Sequence, residues 1–204
     1  YNTAITLNTR TPKLNIFTNY SNNWGDRQNE FYLYREQSPY TFTQSSISKR
    51  SGLSHNYKAG LDYTINKKNN IGLMVTGNYS DTKSVQTNRN EIRDFSTQAV
   101  DSILKSDQSS KNLNNNINVN LNHQYKDTLG HELTSDFDFG RYDSDRNSYI
   151  PNKYVTPDYQ TPLSSTYYRS ITPTTINIFT FKSDYTQNLF KGKVGFGVKT
   201  SFVT

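Results

Sequence analysis

The sequence predicts an all-β fold, an antiparallel transmembrane β-barrel segment of about eight strands, and three observations carry that expectation. Apolar and polar residues alternate with a period of two over most of the chain. The alternating runs last about 7–13 residues, near what a tilted strand needs to cross a bilayer, whereas soluble strands usually stop near five or six. The connections alternate short and long, the pattern of tight periplasmic turns and extended extracellular loops.

At the start of the chain Tyr1, Ile5 and Leu7 oppose Asn2, Thr6 and Asn8. Leu14, Ile16 and Tyr20 then oppose Asn15, Phe17 and Asn19. In Ser54–Ile65 one face reads His55, Tyr57, Ala59, Leu61, Tyr63 and Ile65, and the other Asn56, Lys58, Gly60, Asp62 and Thr64. Ile71, Leu73, Val75, Gly77 and Tyr79 follow against Gly72, Met74, Thr76, Asn78 and Ser80. Leu113–Tyr125 alternates most sharply, with Leu113, Ile117, Val119 and Leu121 against Asn114, Asn116, Asn118, Asn120 and Asn122. A stripe of asparagines cannot occupy a dry core without many partners, but it can face water. Leu133, Phe137 and Phe139 oppose Glu132, Thr134, Asp136 and Asp138. Phe179, Phe181 and Tyr185 oppose Lys182 and Asp184, and Val194, Phe196, Val198 and Phe202 oppose Lys193, Gly195, Gly197 and Lys199.

Short polar turns fall at Thr9–Lys13, Asn66–Asn70, Lys126–His131 and Asn188–Lys193, with centres roughly 60 residues apart. The long segments between them, Ser21–Leu53, Asp81–Asn112 and Asp143–Thr175, are expected to be extracellular loops. Loops of about 30 residues are uncommon in compact soluble domains. Within the first, Phe31–Tyr34 and Tyr40–Thr43 suggest a hairpin standing above the membrane. Phe95–Lys105 fits either a strand or a short helix, and Pro151, Pro157, Pro162 and Pro173 predict an irregular third loop with little ladder pairing.

Composition agrees with this reading. The hydrophobic share is 32%, below the roughly 45–50% of ordinary domains, yet 16 Tyr and 11 Phe argue against disorder. No stretch approaches the roughly 18 apolar residues of a membrane helix, which carries little weight against a barrel, because lipid-facing and lumen-facing residues average out. Tyr63, Tyr125, Tyr185 and Phe190 sit beside the short turns, with Tyr20 and Tyr79 at the opposite strand ends, as an interfacial aromatic belt requires. The chain opens on Tyr1 and stops at Thr204 inside strand-like patterns, so both ends read as cuts, and residues 1–204 as part of one barrel domain.

Catalytic and metal chemistry is not expected. With 0 Cys, thiolate sites and disulfides are out of consideration. His55, His123 and His131 each lack a second ligand at metal-binding spacing. Asp143-x-Asp145-x-Asn147 begins like a calcium loop, but Ser148 stands where that motif needs Gly and Tyr154 where it needs Glu. No nucleophile elbow, phosphate loop or dinucleotide fingerprint occurs. The net charge of +6 is scattered, which gives no nucleic-acid patch. The expectation is therefore a chain that is not an enzyme, with no cofactor and no bound metal.

The charged positions have a physical use instead. Lys58, Asp62, Glu132 and Asp136 fall on the inferred inner face. So do Asp138, Lys182, Asp184 and Lys199, and mixed charge there suits a wide hydrated lumen or one filled by a polar plug. On the lipid face each Lys or Arg would cost about 2–4 kcal/mol at mid-bilayer. Only Arg141 breaks the rule, near the outer end of its strand.

Lys58-Ala-Gly-Leu-Asp62-Tyr63, the run Asn114–Asn122, Phe181-Lys-Ser-Asp-Tyr185 and Gly197-Val-Lys-Thr-Ser201 resemble the barrel segments of TonB-dependent-receptor-like proteins, in particular the outer-membrane β-barrel family abundant in Bacteroidetes. The likeness runs over nearly the whole chain in loose patterns, with no invariant signature. It implies a larger barrel of about 22 strands in the outer membrane of a Gram-negative cell. It also implies a preceding plug domain and an inner-membrane energy-coupling partner in the full-length protein. The implied function is uptake of bulky nutrients such as metal chelates, glycans or peptides. Ligand contact is then expected from the long loops, with Tyr149, Tyr154, Tyr159, Tyr167, Tyr168 and Arg169 as the aromatic and basic candidates. Outer-membrane lipid is the expected partner of the walls. A non-transporting scaffold or adhesin barrel, or a soluble secreted β-rich binding protein, would share many of these patterns. A plug domain upstream separates the first from a transporter, and a chain that stays folded and monomeric without detergent identifies the second.

Overall fold

The computed structural model describes residues 1–190 and 192–204. Among the described residues the chain is a single antiparallel sheet whose eight strands lie side by side in sequence order. They are β1 (Asn2–Arg10), β2 (Leu14–Gln37), β3 (Tyr40–Asn66), β4 (Asn69–Asp94), β5 (Val100–Lys126), β6 (Glu132–Val155), β7 (Pro162–Leu189) and β8 (Gly192–Val203). Such a meander needs only hairpin connections, because each strand pairs with the next.

The four short turns stand where the polar interruptions place them. Thr11 caps the first, its hydroxyl accepting the Leu14 N–H at 3.0 Å while its own N–H reaches the Leu14 carbonyl at 2.7 Å. In the second, Asn66 Oδ1 accepts the Lys68 N–H at 2.9 Å. In the third, Asp127 accepts the backbone N–H groups of Leu129 and His131, each at 2.9 Å. Gly130 lies in the left-handed region at φ 89°, where a Cβ would also run into Asn188.

The long segments differ from the expectation. They are not loops but continuations of the same ladders, which makes β2 to β7 24–28 residues long. β2 and β3 stay paired from Leu14↔Tyr63 to Gln37↔Tyr40, so the hairpin suggested by Phe31–Tyr34 and Tyr40–Thr43 forms at the top of a far longer one. Phe95–Ala99 is a turn, and the strand resumes at Val100. Only Thr156–Thr161 remains as a loop between β6 and β7. Above the membrane both faces of a strand meet water, so the apolar–polar period that marks a spanning strand fades. Backbone pairing needs no such pattern and continues.

The prolines of the third segment also sit within strands, each where the ladder spares a donor. At Pro151 the β5–β6 pairing passes from Ser106↔Asn152 directly to Ser109↔Tyr149. Pro173 pairs with Asp145 on β6, but β8 ends level with Ile178, so its other edge is free. Pro162 opens β7, and Pro157 lies in the tip loop. These are the strand positions that tolerate a residue without an N–H.

Directly paired residues share a face, so the register sorts the side chains. One face carries the row Ile16–Leu61–Leu73–Leu121–Phe137–Phe181 from β2 to β7. A neighbouring row runs Leu7–Thr18–Ala59–Val75–Val119–Phe139–Phe179–Phe202. These residues have sheet neighbours on both sides yet stay bare above, with Leu121 43%, Phe137 46% and Phe181 42% exposed. Nothing in the chain covers this face. The accessible surface is 13923 Å² for 23.5 kDa, against about 9,800 Å² for a globular monomer of that mass. Ile103 and Val155, at the hairpin tips, are the only buried hydrophobic residues among those described. The sheet therefore has no core of its own, and its apolar band requires an apolar solvent.

Aromatic residues bound that band. Tyr63, Tyr125 and Tyr185 close it toward the short turns, where Tyr185 lies 5.4 Å from Phe196 and 6.4 Å from His131 between ring centroids. Toward the long hairpins, His55 sits between Tyr20 and Tyr79 at 6.0 and 6.1 Å, and Tyr20 Oη and His55 Nδ1 share a hydrogen bond of 2.7 Å. From Ile117 to Tyr125 the band on β5 spans about what a tilted strand needs to cross a bilayer.

Candidate functional site

The opposite face is polar from strand to strand. Its central row reads Arg10–Asn15–Asp62–Gly72–Asn122–Asp136–Lys182–Lys199 and crosses the entire sheet. All eight charged positions expected on an inner face share this side. Lys58 lies in the row of Asn19 and Thr76, Asp138 in that of Asn120 and Thr180, Asp184 in that of Thr134 and Gly197, and Glu132 in that of Lys126 and Thr186. The asparagine stripe of β5 runs along the same face.

Neighbouring strands satisfy these groups. Asn15 donates to Asp62 at 3.1 Å and Asn120 to Asp138 at 2.6 Å. Lys182 Nζ meets Asp184 at 2.5 Å, and Glu132 lies 3.9 Å from Lys126 and 3.5 Å from Lys193. Asn78 donates to Asn56 at 2.8 Å, and Asn114 accepts from Ser144 at 2.8 Å. Gly60 leaves the space that the Phe17 ring fills, with Lys58 Nζ 5.6 Å from the ring centroid. The result is a wet wall of mixed charge and amide groups. Among the described residues no three His, Cys, Asp or Glu gather as a metal cluster.

Arg141 is the one cation in the apolar rows, and it stands at their outer limit, paired with Ile117 and Asn177. Its guanidinium binds Asp143 through Nε at 2.7 Å and Nη2 at 3.1 Å, and Asp143 also accepts from Thr175 at 2.8 Å. The bidentate pair holds the charge at the edge of the band.

The six ligand candidates are not brought together, and only Tyr159 lies in a loop. Tyr149 and Tyr154 belong to β6, and Tyr167, Tyr168 and Arg169 to β7. Tyr154 and Tyr168 share the polar face with Asp136 and Lys182, while Tyr149, Tyr167 and Arg169 are on the other face. Tyr149 and Tyr167 stack at 6.3 Å. The loop carrying Tyr159 folds back over β5, placing the ring 4.7 Å from Lys105 Nζ. Strand parity, which cannot be assigned to a supposed loop, divides this set. For the same reason sequence reasoning passed over the polar-face residues of the upper hairpins, Arg27, Arg35, Arg50 and Arg146 among them.

Outside the bilayer band, three carboxylates shape turns. Hydrogen bonds from the His131 and Leu129 N–H groups and the His131 side chain hold Asp127 below the usual carboxylate range. The Thr97 N–H and hydroxyl do the same for Asp94, and the Thr156 hydroxyl with the Gln160 N–H for Asp158.

Residues 123–204, from the end of β5 through β8, match the model of an outer membrane protein beta-barrel family. No curated protein matches the chain. The all-strand architecture, the bare apolar band with its aromatic borders and this match describe one arrangement: the strands are the wall of a multi-pass β-barrel in the outer membrane, with the apolar face toward lipid.

Proposed function

We propose that this outer-membrane wall is part of a TonB-dependent-receptor-like transporter that takes up a bulky nutrient, a metal chelate, a glycan or a peptide, and performs no catalysis itself. The observation that carries the reading is the central polar row, hydrophilic across every strand of the sheet. An eight-stranded barrel leaves an interior just wide enough for side chains to fill. Closing this sheet on itself would crowd Asp62, Asp136, Asp138, Lys182 and Lys199 into such an interior, where charges need dry, well-made pairs. A wider barrel keeps them hydrated.

The edges favour the same answer. Among the described residues β1 pairs only with β2 and β8 only with β7. In hydrocarbon each unpaired backbone group costs several kcal/mol, so both edges call for further strands. In this reading the sheet is an arc of a barrel of about 22 strands, whose lumen a plug domain occupies and an inner-membrane protein energises.

The test is growth of a deletion strain on ferric chelates, glycan fragments or peptides as the sole scarce nutrient, with and without a protonophore. The expected result is loss of growth on one class, matched in the wild type by protonophore-sensitive uptake of that class. Unchanged growth on all three, with surface adhesion or envelope assembly lost instead, would favour a scaffold barrel.

A further inference from the structure

Above the bilayer band the two faces of the hairpins differ in charge. The carboxylates there, Asp26, Glu30, Asp81, Asp107 and Asp145 among them, lie on the continuation of the lipid-side face. Ion pairs occupy the same side: Arg89 with Asp107 at 2.8 Å, Arg93 with Glu91 at 2.5 Å and Lys111 with Asp81 at 3.8 Å. The polar face carries Arg27, Arg35, Arg50 and Arg146. Among the described residues it carries no carboxylate above the row of Asp138 until Asp94 at a hairpin tip, where turn hydrogen bonds engage the side chain. None of the four arginines forms an ion pair with a described residue.

Arg27 and Arg50 are direct cross-strand partners. Like charges in that position repel, a destabilising arrangement that an anion between them relieves. Arg50 has only a 3.4 Å contact to the Thr82 hydroxyl, and both arginines are exposed. The row below them pairs Gly25 with Gly52, which removes two side chains and opens a hollow of about 580 Å³. Asn23, Ser54, Asn78 and Thr82 line it with amide and hydroxyl groups. Arg146 stands on the Gly52–Thr82–Asn112 row three strands away, roughly 14 Å at about 4.8 Å per strand.

We propose that this wall is an anion-binding vestibule, and that the Arg27–Arg50 pair and its hollow form the first contact for an oxyanion-bearing solute, a carboxylated, sulfated or phosphorylated nutrient. Guanidinium forks bind planar oxyanions through two hydrogen bonds, and the surrounding amides and hydroxyls suit a hydroxylated body. A cleft lined by one sign of charge also focuses its field and raises the encounter rate, in a salt-dependent way. The proposal rests on the polar face lining the lumen of a transporter and names the class of cargo.

The test uses the full-length protein in detergent micelles, with pyrene trisulfonate as a fluorescent anionic probe and neutral maltotriose as the uncharged comparison. Binding of the trisulfonate is expected to weaken at least tenfold in Arg27→Gln/Arg50→Gln and severalfold in Arg146→Gln, and to fall steeply with salt. Lys49→Gln/Lys83→Gln, on the opposite face, is expected to bind as the wild type does. Heat-modifiable gel migration reports whether each variant is folded, and Arg27→Lys/Arg50→Lys should retain most of the low-salt binding. Equal affinity for both probes, or wild-type affinity in folded Arg27→Gln/Arg50→Gln, overturns the vestibule. The assay needs no energised membrane, so its failure is distinct from failure of the transport reading. Protonophore-sensitive uptake with no preference for anionic cargo would remove the vestibule and leave the transporter.

Discussion

Asp127 organises its turn by accepting three N–H bonds from residues two and four positions ahead, including His131 Nδ1 at 3.0 Å. Asp94 and Asp158 do similar work at the hairpin tips, with Thr97 N–H at 2.8 Å and Gln160 N–H at 3.0 Å as donors. Each carboxyl is held below its ordinary value, so folding favours the ionised form. The sign follows by linkage: the stability they add is present above the unfolded value of about 3.9 and is lost as pH falls through the lowered folded values. The unfolding midpoint in detergent is therefore expected to be insensitive to these groups from pH 7 to 5 and to drop below about pH 3.9. Asp94→Asn/Asp127→Asn/Asp158→Asn should flatten that acid limb; an unchanged limb assigns the acid sensitivity to other carboxylates. The side-chain types of these turns were legible in the sequence, but which donors they meet was not, because that depends on how Thr97, His131 and Gln160 are turned.

At the scale of a strand, the two faces differ most sharply in what they tolerate. Leu121 lies midway along the β5 band, between Leu73 and Phe137, while Asn120 beside it faces Met74 and Asp138 on the polar side. Leu121→Arg is expected to destabilise the folded protein in lipid vesicles by about 2–4 kcal/mol, and Asn120→Arg by far less, measured by urea titration. Equal losses would contradict the facing. The spanning portions of the strands could be read from alternation because one side meets hydrocarbon and the other water. Their upper halves could not: Arg27, Asn29 and Phe31 alternate with Asp26, Gln28 and Glu30, and both sets meet water. Pro151 and Pro173 misled for a related reason. A proline argues against a strand unless a gap in the ladder or a free edge lies beside it, and only the pairing reveals Ser106↔Asn152 giving way to Ser109↔Tyr149.

The whole molecule is a curtain of paired strands without an interior. Its stability in isolation would rest on backbone ladders and cross-strand pairs such as Phe139 and Phe179, 4.9 Å apart, because the apolar band finds nothing in the chain to cover it. The candidate site was legible to the extent that it follows from parity in the membrane: Lys58, Asp62, Asp136, Asp138 and Lys182 fall on one side as expected. The charged vestibule above them was hidden inside segments taken for loops. The central claim is that one face of this curtain meets lipid and the other water, and β6 tests it most directly. The protein has 0 Cys, so a spin label at each position from Thr134 to Arg141 in turn reports a single site. In reconstituted bilayers the labels at 135, 137 and 139 should be accessible to oxygen and shielded from a water-soluble nickel chelate, and those at 134, 136 and 138 the reverse. Uniform access to the nickel chelate, or an accessibility profile without a period of two, would contradict the membrane wall.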